Sequence, residues 1–306
     1  MRDIAVVGSM NVDVSLRVPR FVAPGETLRA TGLELGAGGK GLNQAIAAAR
    51  LGGRVRMIGR VGADPFAEIA LGALRDAGVD VSYVESLVGE RTGLAAITVD
   101  ESTGQNQIAV AGGANKRVSV EHVRDAVSAF RAAGVLLIQL ELPAETVDAA
   151  LELARANHVR TVLDPAPVRE LSDATLARVD VLTPNEGEAE KLSGVRIHGV
   201  ESAAAAGAVL QQKTRGDVVV TLGAAGCVWV HATGFEHVPA PRVRAVDTTG
   251  AGDAFNGALA VALARGEPIT RALREAVRAG SASTLRRGAS AAMPTAADLL
   301  ALPELS

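Results

Sequence analysis

Short apolar runs alternate with longer amphipathic segments along this chain. The runs at 4–7, 55–58, 135–140, 161–163, 179–182 and 218–222 are strand-length. Between most of them lie alanine-rich segments of helical length, at 43–51, 66–77, 120–132, 144–157 and 203–212. This alternation predicts an α/β fold, a three-layer sandwich with a mainly parallel central sheet flanked by helices. Ligands of such sheets bind outside the carboxyl ends of the strands, so the residues just after each run become the candidates for chemistry.

Two regions, 13–35 and 92–110, break the alternation with strand-like patterning and turn residues. The stretch AAITVDESTGQNQIAV reads as a hairpin turning at ESTGQ. The two regions predict a small β-sheet lid over the strand ends, a device that excludes water from a reaction. Neither a repeat nor a linker divides 1–306, which is expected to form a single domain.

Composition narrows the function classes. Of 306 residues, 48% are hydrophobic and 21% charged, as in a globular protein with a substantial core. Aromatics at 2% and a net charge of −3 offer neither stacking surface nor electrostatic footprint for nucleic acid. A lone Cys227, in the strand-like run GCVWV, permits no internal disulfide or thiolate cluster and reads as a buried structural thiol. The opening MRDIAVVG lacks the regions of a signal peptide, and no apolar run reaches membrane-spanning length, so a cytoplasmic enzyme or binding protein is expected.

Candidate chemistry collects at the strand ends. In DTTGAGDAFNGAL a helix starts on small residues, with Gly250, Ala251 and Gly252 ahead of Asp253. Unpaired N–H groups there suit an anion, and Asp253 would repel it unless the carboxylate has a task such as taking a proton. The alternative is an ordinary turn in which Asp253 complements the helix dipole. GAGGKG at 36–41 matches the dinucleotide pattern formally. It lacks the preceding βαβ strand, and Arg54, Arg56 and Arg60 stand where an acidic residue belongs. Nor is it a P-loop, since Gly41 follows Lys40. Its glycines either bring backbone close to a hydroxyl-rich ligand or form a turn.

Asn11 and Asp13 in GSMNVD lie at the end of the first run and project the same way, which suits vicinal hydroxyls or a capped turn. Glu141 in QLELP offers another acceptor. Asn185, Glu186 and Glu188 open a helix as capping residues, or hold magnesium through water. Thr221 to Gly226, TLGAAG, either underlies a nucleotide or reverses the chain. Together these junctions fit one cleft shared by a polyol and a nucleotide.

The chain resembles the ribokinase-like carbohydrate kinases over nearly its whole length. The resemblance rests on GSMNVD, GGKGLNQA, AGGAN, DPAPVREL, TPNEGEAEKLSG, TLGAAG, DTTGAGDAFNGAL and RRGASAAMP, in that order and spacing. It implies transfer of the ATP γ-phosphate to the 5-hydroxyl of D-ribose, with Asp253 as base and the N–H groups of Gly250, Ala251 and Gly252 stabilising the phosphoryl group. Asn11, Asp13, Gly39, Lys40, Asn43 and Glu141 match sugar-binding positions. Asn185, Thr221, Gly223, Gly226 and Gly252 match nucleotide-binding positions, and Glu188 one near magnesium. Asp247, Thr249, Ser283, Arg286 and Gly288 match a monovalent-cation site, usually for potassium.

Three positions depart from the pattern. Ala292 stands where a serine often completes the cation shell, leaving water or Ser290. Val277 replaces a polar residue near adenine, and Ala225 a basic one in the glycine turn. Kinases of 2-deoxyribose, another sugar or a nucleoside remain alternatives, with Ala96, Ile97 and Ile108 bordering the space a nucleoside needs. So does a sugar-binding protein without catalysis. An exposed lid edge predicts a homodimer through the lid sheet.

Overall fold

The computed structural model describes residues 1–303. In chain order the strands are β1 Asp3–Val7, β2 Asn11–Val18, β3 Gly32–Gly38, β4 Val55–Gly62, β5 Asp80–Leu87, β6 Gly93–Asp100, β7 Asn106–Ala111, β8 Ala133–Ile138, β9 Arg160–Leu163, β10 Val181–Leu182, β11 Asp217–Thr221, β12 Cys227–His231 and β13 Gly234–Val238. The helices are α1 Lys40–Arg50, α2 Pro65–Asp76, α3 Val120–Asp125, α4 Val127–Ala132, α5 Ala144–Ala156, α6 Asp173–Leu176, α7 Glu186–Ser193, α8 Val200–Gln211, α9 Ala251–Ala264, α10 Ile269–Ser283 and α11 Ala296–Leu300.

Nine strands form the central sheet in the order β13-β12-β11-β10-β9-β8-β1-β4-β5. The strands from β5 to β11 pair in parallel, and β12 and β13 close one end antiparallel. From β1 the chain proceeds to β4 on one side and later to β8 on the other, so strand order reverses at β1. Crevices in open α/β sheets form at such a reversal.

The core lies on both faces of the sheet. Leu42, Ile46, Leu74, Leu259 and Leu273 from α1, α2, α9 and α10 pack on one face. Val123, Phe130, Leu151 and Leu210 from α3, α4, α5 and α8 pack on the other. Helix α9 is buried on every side from Asp253 onward, which explains why its sequence is apolar apart from Asp253 and Asn256. Gly257 of α9 sits so close to α1 that a side chain there would strike Ala47 and the Ala48 backbone. These small residues let the two helices approach closely. One turn earlier on each lie Asn43 and Asp253, which the same approach brings together.

The second sheet has the order β3-β2-β6-β7. Strands β2 and β6 pair in parallel, with Asp13 opposite Ala95, and the predicted hairpin forms between β6 and β7. Residues 19–31 join β2 to β3 without strand structure. Only Gly8–Met10 separate β2 from the end of β1.

Several boundaries differ from the sequence expectation. The helix expected at 120–132 breaks at Ala126 (ψ 15°) into α3 and α4. The run at 135–140 overshoots its strand, because Gln139 and Leu140 are buried beyond the last ladder pair, Ile138 with Leu163. Strand β10 begins at Val181 rather than 179. The edge strands β5 and β13 escaped notice because their largely solvated residues make no apolar run.

Candidate active site

Asp253 occupies the first turn of α9 and is only 4% exposed. Burying a carboxylate without partners costs several kcal/mol, so its contacts matter. Asn43 Nδ2 donates to Oδ2 at 2.9 Å, and Gln44 Nε2 donates to Oδ1 at 3.1 Å. Lys40 Nζ lies 3.9 Å from Oδ1. All three partners come from α1, whose start the sequence marks with glycines.

The Gln44 amide is itself fixed at both ends. Its nitrogen also donates to Asp164 Oδ2 at 2.9 Å, and its oxygen accepts from Gln139 Nε2 at 2.6 Å. Lys40 Nζ reaches Asp164 at 3.5 Å. Burial pushes the Asp164 carboxyl up to about 7; the Lys40 charge opposes this, while Asp253 and Glu188 add to it. Burial alone would lower the Lys40 ammonium, but Asp164, Asp253, Glu141 and Glu188 together hold it above its ordinary value. One ammonium thus answers four carboxylates, a donor set with room for further positive charge.

The residues expected to bind the sugar surround the same point. The Asp13 carboxylate lies over Gly38, where any side chain would collide with it, and Gly93 likewise makes room for the Asn11 amide. Asn115 Nδ2 donates to Asn11 Oδ1 at 2.7 Å and orients it. Burial, reinforced by Glu141 and Asp253, raises Asp13 to about 6. Glu141 is anchored by the Ser9 hydroxyl and by the Lys40 backbone N–H at 3.2 Å. Gly39 caps α1 with φ 92°, pressed against the Asn11 backbone. The buried Asn43 Oδ1 has no hydrogen-bond partner among the described residues, an acceptor that a hydroxyl would satisfy.

Beyond the start of α9 opens a cavity of about 330 Å³. Thr221, Gly223 and Gly226 line it, together with Gly252 of α9 and Val277 and Thr284 of the α10 region. A Cβ on Gly252 would meet open space. The Ala251 N–H is already donated to the Thr248 carbonyl at 3.2 Å, which leaves the amides of Gly250 and Gly252 as those free for an anion. Asn185 and Glu188 cap α7 reciprocally at 2.9 Å each way, as capping residues do, and Asn185 bridges to Thr221. Ala225 is absent from the cavity wall, whereas Val277 forms part of it.

The loops after Val246 and Ser283 are tied together. Asp247 accepts from the backbone and hydroxyl of Thr249 at 2.9 and 2.7 Å, and from Gly288 N at 3.0 Å. Burial would raise the Asp247 carboxyl, but these bonds and Arg287 hold it below its usual range. The Arg286 guanidinium turns to Asp298 at 3.0 Å, and the Ser283 hydroxyl donates to Gly280 O at 2.8 Å. Neither side chain bonds to the Asp247 loop. Ser290 gives its hydroxyl proton to Ala37 O.

Sequence reasoning missed Gln44, Gln139 and Asp164. Gln44 lies beside the selected Asn43, Gln139 is hidden inside the run at 135–140 although β8 ends at Ile138, and Asp164 follows the run at 161–163, where the strand-end rule applied to every run would have found it.

Comparison with known proteins gives a consistent picture. The pfkB family carbohydrate kinase profile matches residues 1–296. A ribokinase from Haemophilus influenzae is 39% identical over 300 residues, covering 98% of this chain and 97% of the relative. A deoxyribokinase from Salmonella typhi is 36% identical over 294 residues, covering 96% of each. The structure of Arabidopsis thaliana ribokinase complexed with ribose and ATP superimposes with a TM-score of 0.91 at 32% identity, covering 98% of this chain and 97% of that one.

Proposed function

The chain belongs to the pfkB family of carbohydrate kinases, and from that premise we propose that it transfers the γ-phosphoryl group of ATP to the 5-hydroxyl of D-ribose. The observation that carries this reading is the position of Asp253, between the sugar-directed residues of the lid and the cavity at the start of α9. As O5 attacks the γ-phosphorus, Asp253 takes the O5 proton, the bond from the γ-phosphorus to its bridging oxygen breaks, and ADP leaves. Asn43 and Gln44 hold the carboxylate in place, and Lys40 balances negative charge beside it. The free amides of Gly250 and Gly252 face the transferring group. Asn11, Asp13, Gly39, Asn43 and Glu141 grip the remaining hydroxyls, and the lid excludes water. Thr221, Gly223 and Gly226 support the nucleotide, with Asn185 behind them.

Magnesium fits the excess of carboxylates around Lys40. Among the described residues no three His, Cys, Asp or Glu groups converge to hold a metal ion directly, which favours attachment of Glu188 through water and of the triphosphate itself. Magnesium would neutralise phosphate charge. Potassium fits the paired loops, where Asp247 and the backbone oxygens of Thr249, Ser283, Arg286 and Gly288 offer hard ligands. It would strengthen the positive field at the α9 start. With the Ser290 hydroxyl engaged, water completes that shell.

Two copies pair through the lid. Leu16 faces Leu33 on one side of this sheet, where Leu33 and Leu35 are 62% and 53% exposed. No helix among the described residues is long and apolar enough to cross a membrane; an ATP-consuming kinase with one buried cysteine suits the cytoplasm.

A 2-deoxyribose kinase is the second reading, favoured by the similarity to the Salmonella relative. One coupled assay tests both, with ribose, 2-deoxyribose, fructose and adenosine as acceptors. ADP release highest with ribose supports the first reading, and a deoxyribose preference transfers the assignment. No acceptor-dependent ADP release would sink both.

A further inference from the structure

Resting on the kinase reading, we propose that the nucleotide cavity does not distinguish 6-amino from 6-oxo purines, so that GTP and ITP serve as phosphoryl donors beside ATP. The triphosphate must meet the start of α9, because the free amides and Asp253 are there. The base then lies against the other walls, built from Val277 and Ser281 of α10 and from the segment Pro241–Ala245.

Apart from hydroxyls and Arg242, the side chains of those walls offer no polar group to purine position 6. The side chains of Val277, Pro241 and Val243 are hydrocarbon. Ser281 donates its hydroxyl proton to Val277 O at 2.9 Å, and Thr284 donates its own to Ser281 O at 2.7 Å. Each hydroxyl is left as an acceptor. Adenine offers an amino N–H to such an acceptor, and guanine and hypoxanthine offer the neighbouring N1–H. Strong discrimination requires a buried polar group that the wrong ligand leaves unpaired. No carboxylate or side-chain amide lines this cavity. The sole charged lining group, Arg242, makes no hydrogen bond or ion pair with another described residue, and its exposed N–H donors accommodate a 6-oxo group.

The test compares kcat/KM for ATP, GTP and ITP at saturating ribose, alongside calorimetric titration of the protein with ADP and GDP. Values for the three donors within about tenfold, with ADP and GDP binding within the same factor, support the proposal. A more than tenfold preference for ATP over both others overturns it and leaves the kinase reading intact. Absence of turnover with every donor overturns the kinase reading. The titrations then decide the cavity by themselves, and a more than tenfold preference for ADP counts against the proposal.

Discussion

Asn43 and Asp253 meet at 2.9 Å although 210 positions of chain separate them. Close packing of α1 on α9, permitted by Gly257 and Ala47, sets this distance. The proposed base is therefore held by the core rather than by a loop, and Asp253→Asn should leave the fold in place. We expect kcat to fall by roughly a hundredfold to ten-thousandfold, with ribose affinity by calorimetry changed only a few-fold. Near-normal turnover would exclude Asp253 as the base.

The two glycines at the helix start have opposite roles. Gly250 has φ 77°, and its Cβ would press on Met293 at 2.8 Å, so Gly250→Ala should cost about 1–2 kcal/mol in denaturant unfolding. Gly252 has open space ahead of it in the cavity. Gly252→Val should leave unfolding nearly unchanged and raise the KM for ATP roughly tenfold or more. The reverse pattern would show that the nucleotide lies elsewhere.

Asp13 links stability to pH. Its folded carboxyl, at about 6, holds a proton more tightly than the unfolded one at 3.8. Between those values the folded state binds more protons, so this group favours folding at low pH, and the contribution is lost as pH rises through about 6. Asp13→Asn removes that linkage. Relative to the variant, the unliganded wild type should lose on the order of 1 kcal/mol between pH 4 and pH 7, measured by urea unfolding at each pH. Parallel profiles would refute the buried, carboxylate-crowded setting of Asp13.

Asp247 ties two loops through Thr249 and Gly288. Replacing potassium by tetramethylammonium should lower kcat on the order of tenfold, and Asp247→Ala should remove the response. Equal rates in potassium, sodium, caesium and tetramethylammonium would reject the cation site.

Leu33→Asp places a charge on the apolar side of the lid. Sedimentation should show a shift from dimer to monomer. An unchanged dimer would locate the interface on another surface.

The layered sheet and the lid hairpin were legible because each follows from local periodicity. So was Asp253, conspicuous among glycines at a helix start. Gln44 and Gln139 were not, since an amide on a helix or at a strand end acquires its role only from a partner brought close in space, here across 95 positions. Strand β5 stayed hidden for a different reason: half-exposed edge positions carry no continuous apolar run.

The donor cavity takes no wall from β2, β3, β6 or β7, whereas Asn11 and Asp13 belong to β2. The two substrates consequently have separate doors. On the proposed reading, nucleotide exchange requires no displacement of the small sheet, whereas the sugar passes residues that this sheet carries.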